Sequence, residues 1–452
     1  MSTTPRTSTV RETVAETVWR PNLAERAAQI YLLLWLGEGI LRKWGPAGLG
    51  QPLYFARDGF IVVALALLLL QDVPRRRVPR ALAWAEAIVV FLVLVQLIVE
   101  PIPVGVGVVG VRSFLGPLFV VHLCWRYCRP ELFWSLARIL LMMAPLEAGI
   151  SLLQSLSPQQ SWINKVGPDA YVVIFSSGEV VRASGTFTAA FGIVSYLMIA
   201  LPLSLGMVGS DKITPRMALL NRIVVLPSLL LTCFVSGSRS AIFLAVACLV
   251  ARLLVARAAG DRQLFRQVLR LAVPLVAAFV VVTHLAPGVL TAFQERFENA
   301  EQSQSTSDRV NDQLLLFTEY VPTVSLFGQG LGARAMGGIA AGSPYGWIEN
   351  EPGRWIAEGG LLGLLTVVAR FATGIALLVW AWRWAYRLRQ PELFLLGMIL
   401  SVNLFGGLLN TQPTQQGATA ITVALLLLPL LGPLSVPSPH PGRRRLPRVP
   451  AD

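Results

Sequence analysis

The chain has 452 residues, 54% of them hydrophobic and 14% charged, with a mean hydropathy of +0.61. That composition excludes an ordinary soluble domain. A formal charge of +13 would suit a nucleic-acid partner, but the basic residues are scattered through short connections between apolar runs, which is a topology signal and excludes nucleic acid as the expected partner.

In chain order, apolar runs long enough to cross a ~30 Å hydrocarbon layer as helices recur along the sequence. They lie near 27–41, 54–71, 81–99, 110–127, 132–155, 184–208, 218–236, 240–256, 268–287, 356–382, 392–409 and 414–433. Only helices satisfy their own backbone in lipid without closing a barrel, so the predicted fold is all-α, a polytopic transmembrane bundle of about 12 spans. Residues 1–26 are polar and charged and form a predicted cytoplasmic tail. No small-residue cleavage site follows them, so the first span is expected to stay as a start-transfer helix. Residues 27–433 read as one membrane domain without internal repeats. The proline-rich, basic segment 434–452 reads as a disordered cytoplasmic tail.

Placing the N-terminus inside assigns well over half of the 38 Lys and Arg to cytoplasmic segments, including Arg75-Arg76-Arg77 and Arg443-Arg444-Arg445. The positive-inside rule then predicts that both termini are cytoplasmic. Trp380, Trp382 and Trp384 beside Arg383 and Arg387 suit an interfacial belt on that side. Two outward loops are long: 156–183, and 288–355, which is predicted to be partly helical. In the second, Ser307-Asp308 is a candidate N-cap for a helix over about 309–321, with Leu314 to Phe317 resting on the membrane surface. Gly328, Gly330 and Gly332 allow a tight turn before Arg334, and Glu349-Asn350-Glu351 precedes the next span, with a bend expected at Pro352-Gly353.

Cys124, Cys128, Cys233 and Cys248 lie in or beside spans, so no disulfide framework is expected. His122, Cys124 and Cys128 read better as packed helix residues than as metal ligands, and no metal or other cofactor is expected. Several charges require a reason. Arg239 sits in the short hairpin Ser236-Gly237-Ser238-Arg239-Ser240, either as a snorkelling interfacial cation or as a bidentate phosphate clamp aided by the hydroxyls. Glu38 with Arg42 and Arg57 with Asp58 read as structural pairs. Glu147 and Arg370, both within spans, are candidate partners for one another.

Three stretches together resemble the O-antigen ligase and O-antigen polymerase superfamily of bacterial membrane glycosyltransferases. Arg182-Ala-Ser-Gly-Thr-Phe187 is similar to its Arg-x-x-Gly-Thr-Phe segment, and Ser236-Gly-Ser-Arg-Ser-Ala241 to its Ser-x-Ser-Arg-x-Ala hairpin. Glu349-Asn350, followed by Glu358, Gly360 and Gly363, resembles its His-Asn-x7-Glu-x-Gly-x-x-Gly pattern, with Arg309 in the place of a loop arginine. The chain departs from the pattern at the family histidine, where it has Glu349. That departure, and the block Glu38-Gly-x-Leu-Arg-Lys-Trp44 with Phe55-Ala-Arg-Asp58, resembles polysaccharide polymerases more than lipopolysaccharide ligases.

The resemblance implies transfer of a glycan from undecaprenyl pyrophosphate to an acceptor sugar hydroxyl at the periplasmic face of the bacterial inner membrane. Arg239 and Arg309 would stabilise the leaving pyrophosphate and Glu349 would act as base. Arg182, Ser238, Asn350, Arg334 and Glu358 would bind substrate. Partners would be the lipid-linked glycan, an acceptor glycan or lipid, membrane lipids and a chain-length regulator protein. Glu349 needs a partly desolvated pocket to act as base, and its alternatives are Glu351 in that role or an ion pair of Glu349 with Arg309 or Arg334. An O-antigen ligase or a protein O-oligosaccharyltransferase would differ only in acceptor. A transporter or flippase of lipid-linked sugars, the reading from another class, calls for internal repeats around a midplane site.

Overall fold

The structure is a computed structural model. It describes residues 22–46, 50–71, 73–99, 102–167, 170–171, 181–210, 212–258, 272–285, 315–407, 409–410 and 412–431, with isolated positions between 266 and 294. Its helices are α1 Leu23–Trp44, α2 Gly50–Leu70, α3 Arg80–Val99, α4 Val104–Tyr127, α5 Leu132–Met142, α6 Ala144–Leu156, α7 Ala190–Met207, α8 Pro215–Leu220, α9 Leu226–Val235, α10 Arg239–Ala258, α11 Ala272–Leu285, α12 Met336–Ala340, α13 Glu351–Leu388, α14 Pro391–Phe405 and α15 Pro413–Leu427. A short antiparallel pair, β1 Lys165–Gly167 with β2 Ala170–Tyr171, lies in the 156–183 loop.

A helix lies in each of the twelve predicted segments. Among the described residues, seven are long and apolar enough to cross a membrane: α3, α4, α5–α6 taken together, α7, Pro215–Val235, α10 and α13. These support a mostly helical membrane protein. Local sequence explains many of the ends. Asn22 and Glu25 form a reciprocal capping box at 2.9 and 2.8 Å, and Thr214, followed by Pro215, caps α8. Prolines also open α14 and α15 at their first positions.

The largest difference from the predicted elements concerns α13. It begins at Glu351, capped by the Asn350 side chain on Gly353 N–H at 2.8 Å, so Pro352-Gly353 lies inside its first turn and makes no bend. Proline is tolerated there because those N–H groups have no intrahelical partner. The chain bends instead at Gly360, whose φ of 58° and ψ of −135° interrupt the helix. The candidate helix over 309–321 lies partly outside the described residues. Its last residues belong to a 3-10 helix, Leu316–Thr323, in which Phe317 packs on Phe371 of α13 with ring centroids 5.3 Å apart.

The main apolar core is continuous through α1, α4, α5, α7, α9, α14 and α15. α7 is its axis: residues from Ile193 to Met207 are nearly all buried, which fits a run apolar on every face. Contacts between distant stretches, such as Trp35 with Thr414, Lys43 with Ser184, Gln96 with Glu358 and Glu351 with Leu409, sort the helix ends into two sets. One set gathers the C-terminal ends of α1, α3, α6, α9 and α14 with the N-terminal ends of α2, α4, α7, α10, α13 and α15. The candidate site lies there.

Candidate functional site

The segment Arg182 to Phe187 is held by three buried side chains that come from elsewhere. Lys43, near the end of α1, donates to Ser184 Oγ and to the carbonyls of Gly185 and Phe187 at 2.8, 2.8 and 2.9 Å. Gln154 of α6 accepts the N–H groups of Ser184 and Gly185 at 2.9 Å each. Glu147, also in α6, accepts Thr186 N–H at 2.9 Å and a hydrogen bond from the Thr186 hydroxyl. Gly185 has φ 59°, and a Cβ there would collide with the Glu147 carboxylate. The glycine and threonine of this segment are therefore required by backbone conformation and by Glu147. Glu147 has Thr186 as its partner, not Arg370 as the sequence suggested.

Ala183 of this segment packs with Val235, the last residue of α9, in a small apolar cluster. That contact brings Arg182 beside the hairpin that carries Arg239. The hairpin closes on itself: Ser236 Oγ bonds to the Cys233 carbonyl at 2.9 Å, Gly237 has φ 59°, and Ser238 Oγ lies 2.7 Å from Ser240 Oγ. Ser238 is buried, while Arg182 and Arg239 are each half-buried. Two arginines from distant stretches of sequence thus reach the same end of the bundle.

The glycine turn docks onto the bend of α13. Gln96, a polar residue in the apolar second half of α3, donates to the carbonyls of Phe327 and Glu358 at 2.6 and 2.8 Å and accepts Leu331 N–H at 2.8 Å. Gln329 N–H donates to the Ala357 carbonyl and Gly330 N–H to the Glu358 carbonyl, at 2.9 and 3.2 Å. Gly328, Gly330 and Gly332 all have positive φ, and α4 approaches so closely at Gly110 that no side chain fits between it and Leu331. The turn is therefore a packed wall, built because Gly360 and Gly110 let backbones touch.

Beneath it, Glu358 is fully buried and accepts Arg334 N–H at 2.8 Å. Arg334 itself is half-buried. Its side chain bonds to Gln329 Oε1 at 2.7 Å and to the Gly346 carbonyl at 3.2 Å, and lies 4.8 Å from the centre of the Tyr345 ring. It makes no ion pair with Glu349. Glu349 is exposed, so the desolvation its role as base would need is not present at that side chain. Glu351 is buried, and its Oε1 pairs with Arg370 at 2.9 Å while its Oε2 accepts the N–H groups of Leu409 and Asn410. Arg370 also donates to the carbonyls of Leu404, Asn403 and Gly407, which ties α13 to the end of α14. Arg309 lies outside the described residues.

A polar layer joins these pieces. The expected pairs Glu38–Arg42 and Arg57–Asp58 form, each at 3.1 Å, and they are linked by a longer contact of 3.6 Å between Arg57 and Glu38. Asp58 also receives Arg112 of α4 at 2.6 Å, and Arg57 donates to the Pro413 carbonyl at 2.9 Å. Next to Arg112, Ser113 accepts from Gln416, which donates in turn to the Asn410 carbonyl. Asn410 Oδ1 accepts from Arg354 and from Trp355 Nε1. Lys43, Gln96, Arg112, Arg354 and Gln416 are the members that sequence reading left without a role. A charged or amide side chain within an apolar run was the available signal for Gln96 and Arg112, whereas Lys43, Arg354 and Gln416 stand among polar neighbours at span ends.

Among the described residues, no group of three or more His, Cys, Asp or Glu side chains is arranged to hold a metal. His122 contacts Glu86 at 2.9 Å. No protein-family model matches the chain, and no curated protein matches it.

Proposed function

We propose that this chain is a bacterial inner-membrane polysaccharide polymerase. It transfers a glycan from undecaprenyl pyrophosphate to the hydroxyl of an acceptor sugar at the periplasmic face, with both termini in the cytoplasm and loop 288–355 in the periplasm. The observation that carries the reading is the packing of Ala183 against Val235. It brings together two of the three stretches that resemble the superfamily, and with them Arg182 and Arg239. A leaving pyrophosphate needs fixed cations near headgroup depth, and two planar guanidinium groups suit it better than flexible ammonium groups. The third stretch lies in the same layer of helix ends, with buried carboxylate and amide groups suited to a sugar.

Arg239→Lys keeps the charge and loses the fork, so the variant should lose most polymer synthesis at matched protein level. The assay is polymer length and amount in membranes from a strain lacking the native gene. Full polymer in both Arg239→Lys and Arg182→Lys would remove the pyrophosphate role from this hairpin. Reporter fusions at Ser303 and at the C-terminus should report opposite sides, and the same side for both would overturn the orientation.

A further inference from the structure

Of the three carboxylates between residues 349 and 358, only Glu358 is both buried and incompletely used. Glu349 is exposed, and both oxygens of Glu351 are engaged. Glu358 Oε1 accepts Arg334 N–H, whereas its Oε2 has no hydrogen-bond partner among the described residues. One helical turn earlier, Arg354 is fully buried as well. Its Nη2 donates to Asn410 Oδ1, but Nε and Nη1 have no such partner. An arginine and a glutamate four residues apart on a helix ordinarily close on each other; here each is held away, one by Asn410 and the other by the glycine turn. Buried charged groups seldom remain so incompletely paired, and their cost is high when they do.

The two sets of unpartnered atoms are complementary. Arg354 presents N–H donors and Glu358 presents an acceptor. An anion placed between them would be repelled by Glu358, and a cation by Arg354. A hydroxyl satisfies both, because one oxygen accepts and donates at once. Gln416, whose Oε1 is also buried without a hydrogen-bond partner among the described residues, supplies another acceptor to the same layer. Beside Glu358, Arg334 lies 4.8 Å from the ring centre of the half-buried Tyr345, and the exposed Trp347 follows two residues along the chain. Aromatic faces of this kind offer rigid apolar area with polar edges, which suits the apolar face of a sugar ring.

Building on the polymerase reading, we infer that Arg354 and Glu358 form the acceptor-hydroxyl site and that Glu358, not Glu349, is the base. The acceptor oxygen receives hydrogen bonds from Arg354, and its proton passes to Glu358 Oε2. The oxygen forms a bond to the anomeric carbon of the donor sugar as the bond from that carbon to the pyrophosphate oxygen breaks. The pyrophosphate leaves with the electron pair, and Glu358 returns the proton to water. Entry runs past Arg334, whose backbone N–H bonds Glu358.

The test uses the full chain in detergent or membranes, with lipid-linked oligosaccharide purified from a strain lacking this protein as the substrate. Glu358→Gln preserves the acceptor for Arg334 N–H and removes the base. It should lower kcat by roughly 10²- to 10⁴-fold with KM little changed, while Glu349→Gln stays near wild type. Glu358→Asp, which keeps a carboxylate, should retain more activity than the Gln variant. Arg354→Lys leaves Glu358 in place and should raise KM roughly ten- to a hundredfold; it remains decisive if the Gln variant fails to accumulate. An active wild type with an equally active Glu358→Gln overturns the inference. So do loss confined to Glu349→Gln, equal loss in the Asp and Gln variants at normal protein level, and an unchanged KM in Arg354→Lys. No product from the wild type overturns the polymerase reading itself.

Discussion

The two ends of the bundle use arginine in opposite ways. At the end holding Asn22, Tyr127 and Leu388, cations neutralise helix ends. Arg76 donates to the carbonyls of Trp125 and Cys128 at 3.1 and 2.6 Å, and Lys212 to that of Leu388 at 3.0 Å. Arg252 donates to the carbonyls of Leu205 and Val208 at 3.2 and 2.7 Å. These carbonyls lie at the C-terminal ends of α4, α7 and α13, and positive charge is favourable beside them. At the other end, Arg57, Arg112, Arg354 and Arg370 are buried among carboxylates and amides: Arg112 meets Asp58 of α2 and Arg354 meets Asn410, while Arg57 and Arg370 pair with carboxylates of their own helices. The first pattern finishes secondary structure, whereas the second builds a polar interior that an apolar bundle does not require for folding. Glu392 shows that burial alone does not distinguish the ends. It too is fully buried, packed against Gly206, with no hydrogen-bond partner for its oxygens among the described residues, but no arginine one turn away on its own helix faces it.

The sharpest way to break the comparison is to remove one member of the interior set. Arg370→Met deletes the ion-pair partner of Glu351 and three carbonyl contacts, and leaves the buried carboxylate with its backbone N–H donors but without that counter-charge. The expected cost is about 3–5 kcal/mol, read as a large fall in the detergent melting temperature. A melting temperature near wild type would mean that this pair is incidental to the interior network. Replacing both partners, as Glu351→Gln with Arg370→Met, should recover much of the loss, because a buried charge that has lost its counter-charge is what makes the single variant costly.

A second test addresses the bend that positions the site. Gly360→Ala places a Cβ at φ 58° and against the Ser325 carbonyl, so the glycine turn must move away from α13. Strain of this kind costs about 1–3 kcal/mol. The neighbouring Gly359→Ala is the control, since a Cβ there meets only Leu92 at 3.8 Å. Polymer synthesis should fall in the first variant and persist in the second. Equal activity would show that the turn need not sit on the bend.

How much of this was legible in the sequence depends on the range of the interaction. Hydropathy runs located the helices because each needs only its own residues. The pairs Glu38–Arg42 and Arg57–Asp58 were legible because their partners are four residues and one residue apart. Glu147 with Arg370 failed for the opposite reason: both charges were visible, but only packing decides that one meets Thr186 and the other Glu351. Gln96 and Arg112 were missed as single polar residues in apolar runs, with partners 231 and 54 positions away. Glu349 drew attention by standing at a motif position, whereas burial together with an oxygen left without a hydrogen bond among the described residues, which sequence does not reveal, sets Glu358 apart.

The smallest effect is expected at the opposite end. Arg129 makes two side-chain hydrogen bonds to Glu25, at 2.9 and 2.8 Å, and joins α1 to the start of α5. Its side chain is 36% exposed while Glu25 is fully buried, so the pair stands at the border between interior and surface. Arg129→Ala removes those two bonds but leaves Glu25 accepting the N–H groups of Asn22 and Arg129 itself. Backbone donors keep the carboxylate partly compensated, and water reaches the vacated side, so the cost should be about 1 kcal/mol. Polymer synthesis should remain near wild type, in contrast to Arg239→Lys. A melting-temperature loss as large as that of Arg370→Met would show that the two ends carry equal electrostatic weight, and the contrast between them would then fail.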